Sequence, residues 1–423
     1  MLEKLTQIWK LKDLRNKILF VLAMLLVFRL TAHIPIPGIN LVNLKDFFSS
    51  NQILGLMNIF SGGGMQNFSI VMMGVAPYIT ASIIFQLLAM IIPKLEEWMK
   101  EPAGRQKVNL YTRIATVPLS ILQAYGMISL LRNSPKPIIE NLDWFSLSAM
   151  LITITAGTML LMWIGELITE KKIGNGISLL IFAGIVARVP QAISEVVLNF
   201  NQQQVTNFVI FGIIALVTIV GVVVITEGQR NIPVSYAKRV RGMKMYGGMN
   251  THLPIRVNTA GVIPIIFAIS IILFPPMVAQ FLMRVQNAIV HNIAQTIINV
   301  FNNQLFYGIL YFILVFGFTY FYTAVIFHPY QIAENLQKNG GFIPGIRPGT
   351  HTAQYLQNTI SRITLTGALF LGIISVLPLM MQNATGMSSM VIGGTSLLIV
   401  VSVVIEMIKQ VEAQMTMRDY EGF

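Results

Sequence analysis

Apolar stretches recur along this chain, each close to the ~20 residues a helix needs to cross a bilayer, with polar or Gly/Pro-rich stretches between them. They predict ten membrane-spanning helices, at residues 18–32, 68–92, 110–131, 145–167, 176–198, 205–226, 258–283, 305–327, 363–381 and 391–407. Arg29 interrupts the first. A cleaved signal peptide is the alternative there, since Lys17 precedes the apolar run 18–28, but Arg29 and the following HIPIPG offer no small-residue cleavage site. The expectation is a retained helix whose Arg29 snorkels toward a head group.

The second stretch is broken. SGGG at 61–64 precedes the semi-polar MQNFSIVMMG, and Gly74 and Pro77 separate that piece from VAPYITASIIFQLLAMII. Such a break is tolerated at membrane depth only inside protein or along a cavity. A Pro-kinked span is the simpler alternative. The first piece is too short and too polar to cross, so a half-helix folded back into a cavity is expected.

Composition agrees with the pattern. Of 423 residues, 54% are hydrophobic and only 11% charged, and the mean hydropathy is +0.68. A soluble domain carries about a quarter charged residues, so most of this surface does not face water. With no cysteine in the chain, a disulfide framework, a thiolate nucleophile and a Cys-ligated metal are excluded. The net charge of +12 would suit nucleic acid, but its distribution says otherwise. With a cytoplasmic N-terminus, Lys45, Arg132, Lys136 and Arg284 fall in the outside segments and Arg188 in the outer half of the fifth stretch; counting it as outside, and apart from Arg29, the other 23 of the 29 Lys and Arg are cytoplasmic. That is the positive-inside pattern, and it predicts both termini in the cytoplasm.

Two cytoplasmic segments are long. Residues 227–257 carry Arg230, Lys238, Arg239, Arg241, Lys244 and Arg256 against the single acid Glu227. Residues 328–362 hold HPYQIAENLQKNGG, a short helix ended by Gly340, then FIPGIRPG, where Pro344, Gly345, Pro348 and Gly349 frame Arg347 in a stiff turn. Basic loops can simply hold topology, but loops of about thirty residues more often bind something.

The chemistry is sparse. Every Asp and Glu falls in a loop or near a span end, with Glu166 and Glu195 nearest to being inside, and the five histidines lie outside the spans or at their edges. Coupled transporters place such groups at mid-membrane depth, so an inverted-repeat solute carrier, the second reading, loses ground. A membrane-embedded enzyme, the third, lacks a catalytic constellation: HExxH, GxSxG and P-loop motifs are absent. No cofactor is implied. The SGGG run lacks the Lys and Ser/Thr of a phosphate loop.

The chain resembles the SecY family, the central subunits of bacterial Sec translocons, from end to end. The resemblance rests on IPIPG at 34–38, FSGG at 60–63, PYITASII at 77–84, GTMLLMWIGELITEKKIGNGISLLIFAGIV at 157–186, THLPIRVNTAGVIPIIFA at 251–268, FIPGIRPG at 342–349 and GGTSLLIVVSVVIE at 393–406. It implies an all-α polytopic fold of ten helices in two inverted five-helix halves, 1–200 and 201–423, with a re-entrant plug half-helix near 64–73. It also implies a protein-conducting channel of the general secretory pathway, in the plasma membrane, that passes unfolded precursors and releases hydrophobic segments sideways into lipid.

The residues matching the family's pore ring are Val75, Ile79, Ile177, Ile181, Ile266 and Ile399, with Val75 standing where the family commonly has isoleucine. Thr80, Gln123, Asn258 and Phe274 match the lateral gate, with Gln123 and Asn258 expected to face each other. Arg239, Arg241, Lys244 and Arg347 match the docking surface for a motor or ribosome, and Gly64, Met65, Gln66, Asn67, Phe68 and Ser69 match the plug. Implied partners are the SecE and SecG membrane subunits, the SecA motor ATPase, the ribosome, secretory precursors and their signal peptides, and membrane lipids. Independently of the family, Val75/Ile79 and Ile177/Ile181 are i,i+4 pairs that each share a helical face.

Overall fold

The computed structural model describes residues 9–50, 58, 61–132, 138–139, 143–190, 194, 205–236, 239–241, 244–246, 250–283, 287–385 and 388–421. Each of the ten apolar stretches coincides with a helix: α1 (Lys12–Thr31), α3 (Ala76–Ile91), α5 (Pro102–Arg132), α6 (Trp144–Glu170), α7 (Gly176–Val186), α8 (Val205–Glu227), α9 (Ile263–Leu282), α11 (Gln304–Ile326), α13 (Thr350–Thr385) and α14 (Ser388–Glu421). Between them lie α2 (Leu41–Ser50), α4 (Pro93–Lys100), α10 (Ala288–Asn302) and α12 (Pro329–Lys338). The sequence reading anticipated α12 and its end at Gly340, whose φ is +70°, but not the other three.

Local chemistry sets the boundaries. Asn175 accepts hydrogen bonds from the N–H groups of Ile177 and Ser178 and so starts α7. Pro93 ends the ladder of α3, and α4 leaves at 110° to it. Helix α7 is shorter than its apolar stretch: it stops at Val186, and 191–193 and 195–198 lie outside the described residues.

Helices α3, α5, α6 and α7 pack in sequence, with α1 against α6 and α7; α8, α11, α13 and α14 form a second group, which α9 joins through α11. The groups meet along two main lines, α9 against α3 and α5, and α14 against α7. A large apolar core occupies the middle, and a second gathers α2, α5, α6 and the chain before α3.

The two long basic loops are not plain loops. Strands β1 (Gln229–Tyr236) and β4 (Asn250–Arg256) pair antiparallel, from Gln229 opposite Arg256 to Ser235 opposite Asn250. Between them β2 (Arg239–Arg241) and β3 (Lys244–Tyr246) form a hairpin. From the other loop, β5 (Gly341–Phe342) adds to the free edge of β1. Ile232 and Val234 point inward between exposed neighbours, the period of two expected of a half-buried strand, and build a third core with Ile255, Ile343, Leu356 and Ile360.

The segment before α3 folds back as expected, but through turns and not as a half-helix. Its backbone has positive φ at Gly62, Gly63, Phe68 and Gly74, which a helix cannot contain. Its amides are paired locally, Gly63 N–H to Asn58 O and Ser69 N–H to Gly64 O, both at 2.9 Å, and by a bridge to the IPIPG stretch, Ile36 N–H to Phe68 O at 2.9 Å and Ile70 N–H to Ile34 O at 3.1 Å.

Candidate functional site

The six aliphatic residues assigned to a ring come from separate parts of the chain: Val75 and Ile79 at the start of α3, Ile177 and Ile181 on α7, Ile266 on α9 and Ile399 on α14. All six belong to the one central apolar core. Five are buried; Ile177 is half-buried, and its Cδ1 lies 2.7 Å from where a Cβ would stand on Gly165 of α6. The six thus come from four helices of both groups.

The turn segment packs beside this core. Met65, Phe68, Met72 and Met73 are buried, and the segment presses on α6 so closely that a Cβ on Gly157 would sit 2.0 Å from Ile70 O. Two arginines reach it. Arg29 does not snorkel outward; its Nη1 donates to Gly62 O at 2.6 Å. A charge in a span costs less when it meets a backbone carbonyl inside the bundle. Arg188, two residues beyond α7, donates to Gln66 Oε1 at 2.9 Å. Asn58 completes the set, donating to Gln66 Oε1 at 3.1 Å and accepting from Gln66 N–H at 3.0 Å. Asn67 reaches Ala32 O at 3.5 Å. Sequence reasoning did not single out Asn58, Arg188 or Gly157 as holders of this segment; the signal within reach was Arg29, a lone deep charge that needs a partner.

Where α9 meets α3 and α5, the chain leaves a cleft of about 540 Å³, counting the part open to the surroundings. Thr80, Gln123 and Phe274 line it, together with Ile79 and Ile266 from the central core and Met65 from the turn segment. Gln123 Nε2 donates to Thr80 Oγ1 at 3.5 Å, a weak contact that leaves a polar seam in an apolar wall. Asn258 is not among the lining residues. Its amide donates to Gly261 O at 3.2 Å, across a turn opened by the positive φ of Gly261. Its Oδ1 is buried with no hydrogen-bond partner among the described residues.

Arg239, Arg241 and Lys244 lie on the β2–β3 hairpin, Arg241 directly opposite Lys244. Arg347 is exposed in a turn with positive φ at Gly345 and Gly349, its carbonyl held by Thr352 Oγ1 at 2.9 Å. On the neighbouring α12, a hydrogen bond from Lys338 holds the Glu334 carboxyl below its usual range. Glu166, the acid nearest to a span interior, pairs with Arg113 at 2.6 Å. Among the described residues, no three His, Asp or Glu side chains converge as metal ligands would.

The profile of a family described as SecY matches residues 69–408. The chain is similar to "Protein translocase subunit SecY" of Halalkalibacterium halodurans, 43% identical over 434 residues that span all of both chains. It is 44% identical to the like-named protein of Thermotoga maritima, over 98% of this chain and 96% of that one. Its fold is shared with a solved structure described as a protein conducting channel, at a TM-score of 0.64 and 18% identity over 93% of this chain and 91% of the other. It is also shared with Sec61 in the canine ribosome-channel complex, at a TM-score of 0.60 and 17% identity over 94% and 91%.

Proposed function

The chain belongs to the SecY family, and on that premise we propose that it is the channel subunit of a protein translocase, passing unfolded precursors across the membrane and releasing hydrophobic segments sideways. The observation that carries this is that six aliphatic side chains from four helices share one apolar core, with a buried turn segment packed beside it and a cleft between α3, α5 and α9 lined by two of the six. Charged gates would hold charged stretches of a passing chain. Aliphatic ones bind polar segments weakly and change rotamer around them, so a narrow apolar neck seals at rest and yields in use.

In this reading residues 64–69 are the plug and the cleft is the lateral gate. Residues 1–200 and 201–423 are two halves hinged against each other, and their parting along the α9–α3–α5 line would open the cleft to lipid. Asn258, with an unpaired acceptor, gains a partner when this region moves. The sheet and the 344–349 turn form one cytoplasmic docking face. Arg241 opposite Lys244 costs an isolated hairpin stability, and an anionic partner relieves that cost. With no nucleotide motif in the chain, the energy comes from such a partner, a SecA-type motor ATPase or a translating ribosome, with SecE and SecG as membrane subunits. The location is the plasma membrane, with both termini cytoplasmic.

The test is electrical. Ile79→Ser with Ile181→Ser makes the neck polar and wider, so the chain should still insert and export but conduct ions at rest in planar bilayers, where the parent is silent. Silence of the double variant, with the plug present and with residues 64–73 deleted, would remove these residues from the seal.

A further inference from the structure

At the end of α9 away from the sheet, the chain lays down α10 before entering α11. Its fifteen residues, AIVHNIAQTIINVFN, include no Asp, Glu, Lys or Arg. Asn287 caps its first turn through the Ile289 N–H at 3.0 Å, and Asn303 both ends it and caps α11. The helix is thus tied at each end to a membrane span.

At 100° per residue its side chains fall into three sectors. One faces the protein, with Ala294 buried and Phe301 packed on the central core and edge-on to Phe306 at 5.6 Å. A second, with His291, Gln295 and Asn299, is polar and exposed. The third carries Ile289, Ile293 and Val300, exposed by 69%, 53% and 38%. This apolar flank lies opposite the polar one, and just beyond it α11 begins its own exposed apolar series at Leu305 and Ile309.

We propose that α10 lies in the plane of the membrane surface and sinks its Ile289–Ile293–Val300 flank into acyl chains, leaving the polar flank to water. The occupant is lipid because the flank is continuous with the apolar surface of a membrane span. The helix also has no Asp, Glu, Lys or Arg with which to select a protein of opposite charge. Held by apolar burial alone, α10 engages neutral and anionic bilayers equally, unlike a basic surface helix that depends on lipid charge and salt. It braces the end of α9, the helix that supplies Leu273 and Phe274 to the cleft.

The chain has no cysteine, so single nitroxide labels can be placed on the full chain at Ile293→Cys, Val300→Cys and Gln295→Cys. The labelled protein is reconstituted in phosphatidylcholine vesicles with and without phosphatidylglycerol. Collision with oxygen should exceed collision with a water-soluble nickel chelate several-fold at 293 and 300, and the ratio should invert at 295, in both lipids and at low and high salt. A nickel-favoured signal at both 293 and 300 would place the flank in water. Labels there shielded from both reagents would show it covered by protein, and a preference for oxygen seen only with phosphatidylglycerol would show binding driven by charge. Each of these overturns the proposal.

Discussion

Arg188 and Arg29 show what single residues contribute to holding the turn segment. Gln66 Oε1 takes hydrogen bonds from both Arg188 and Asn58, and a bond from a charged donor contributes about 1.5–3 kcal/mol. Removing it should shift the segment toward its displaced arrangement by about tenfold for each 1.4 kcal/mol lost. Arg188→Met and Gln66→Leu should therefore each raise the resting open time, and the double variant should fall short of the sum of the two, because they share one bond. Additive effects in bilayer recordings would mean that Arg188 acts elsewhere. Gly157 works by absence: with Ile70 O so near, even a methyl group there would push the segment off α6.

At the scale of elements, the informative pieces are the three-stranded sheet and the hairpin that lies between β1 and β4 in the chain. Strand β5 fastens the 344–349 turn to β1, so Arg347 rides on one small body with its own core. Replacing Arg241 with alanine relieves its repulsion with Lys244 and should leave the fold as stable or steadier by a few tenths of a kcal/mol, while weakening motor-driven export. Arg347→Glu goes further: losing a charge-assisted contact and adding repulsion costs about 2–5 kcal/mol of coupling when the partner buries the pair. Export of a model precursor should collapse while membrane insertion is retained. Parental export rates for Arg347→Glu, with the motor limiting, would rule the turn out as a docking point.

For the whole molecule, the division of charge makes a prediction about direction. If the sheet lies in the cytoplasm, Lys244→Cys in intact cells should resist an impermeant thiol reagent added outside and react once the membrane is opened. Ready labelling from outside would invert the topology. Much of this scale was readable from the chain alone. Ten apolar stretches became ten helices, the loop helix stopped at Gly340, and the segment before Ala76 folded back. The sheet escaped notice because its alternation, Ile232 and Val234 against exposed neighbours, is short and sits inside a conspicuously basic stretch.

Hydrophobic length, the scarcity of charge, the Gly/Pro break and the motifs that identify the family are properties of order along the chain, so the sequence by itself determined the helical membrane architecture, the place of each apolar helix and the kinship. What touches what across the bundle is not written in that order. That Arg29 turns inward to Gly62 O and not out to a head group, that the segment beside it is turns and not helix, that Thr80, Gln123 and Phe274 share a cleft while Asn258 folds onto Gly261, and that two distant loops share one sheet were decided only by the tertiary structure. The reason is physical. A span's apolar length satisfies the bilayer whichever way the helix is turned about its axis, whereas close approaches such as Gly157 to Ile70 and the pairing of buried polar atoms select one packing among many.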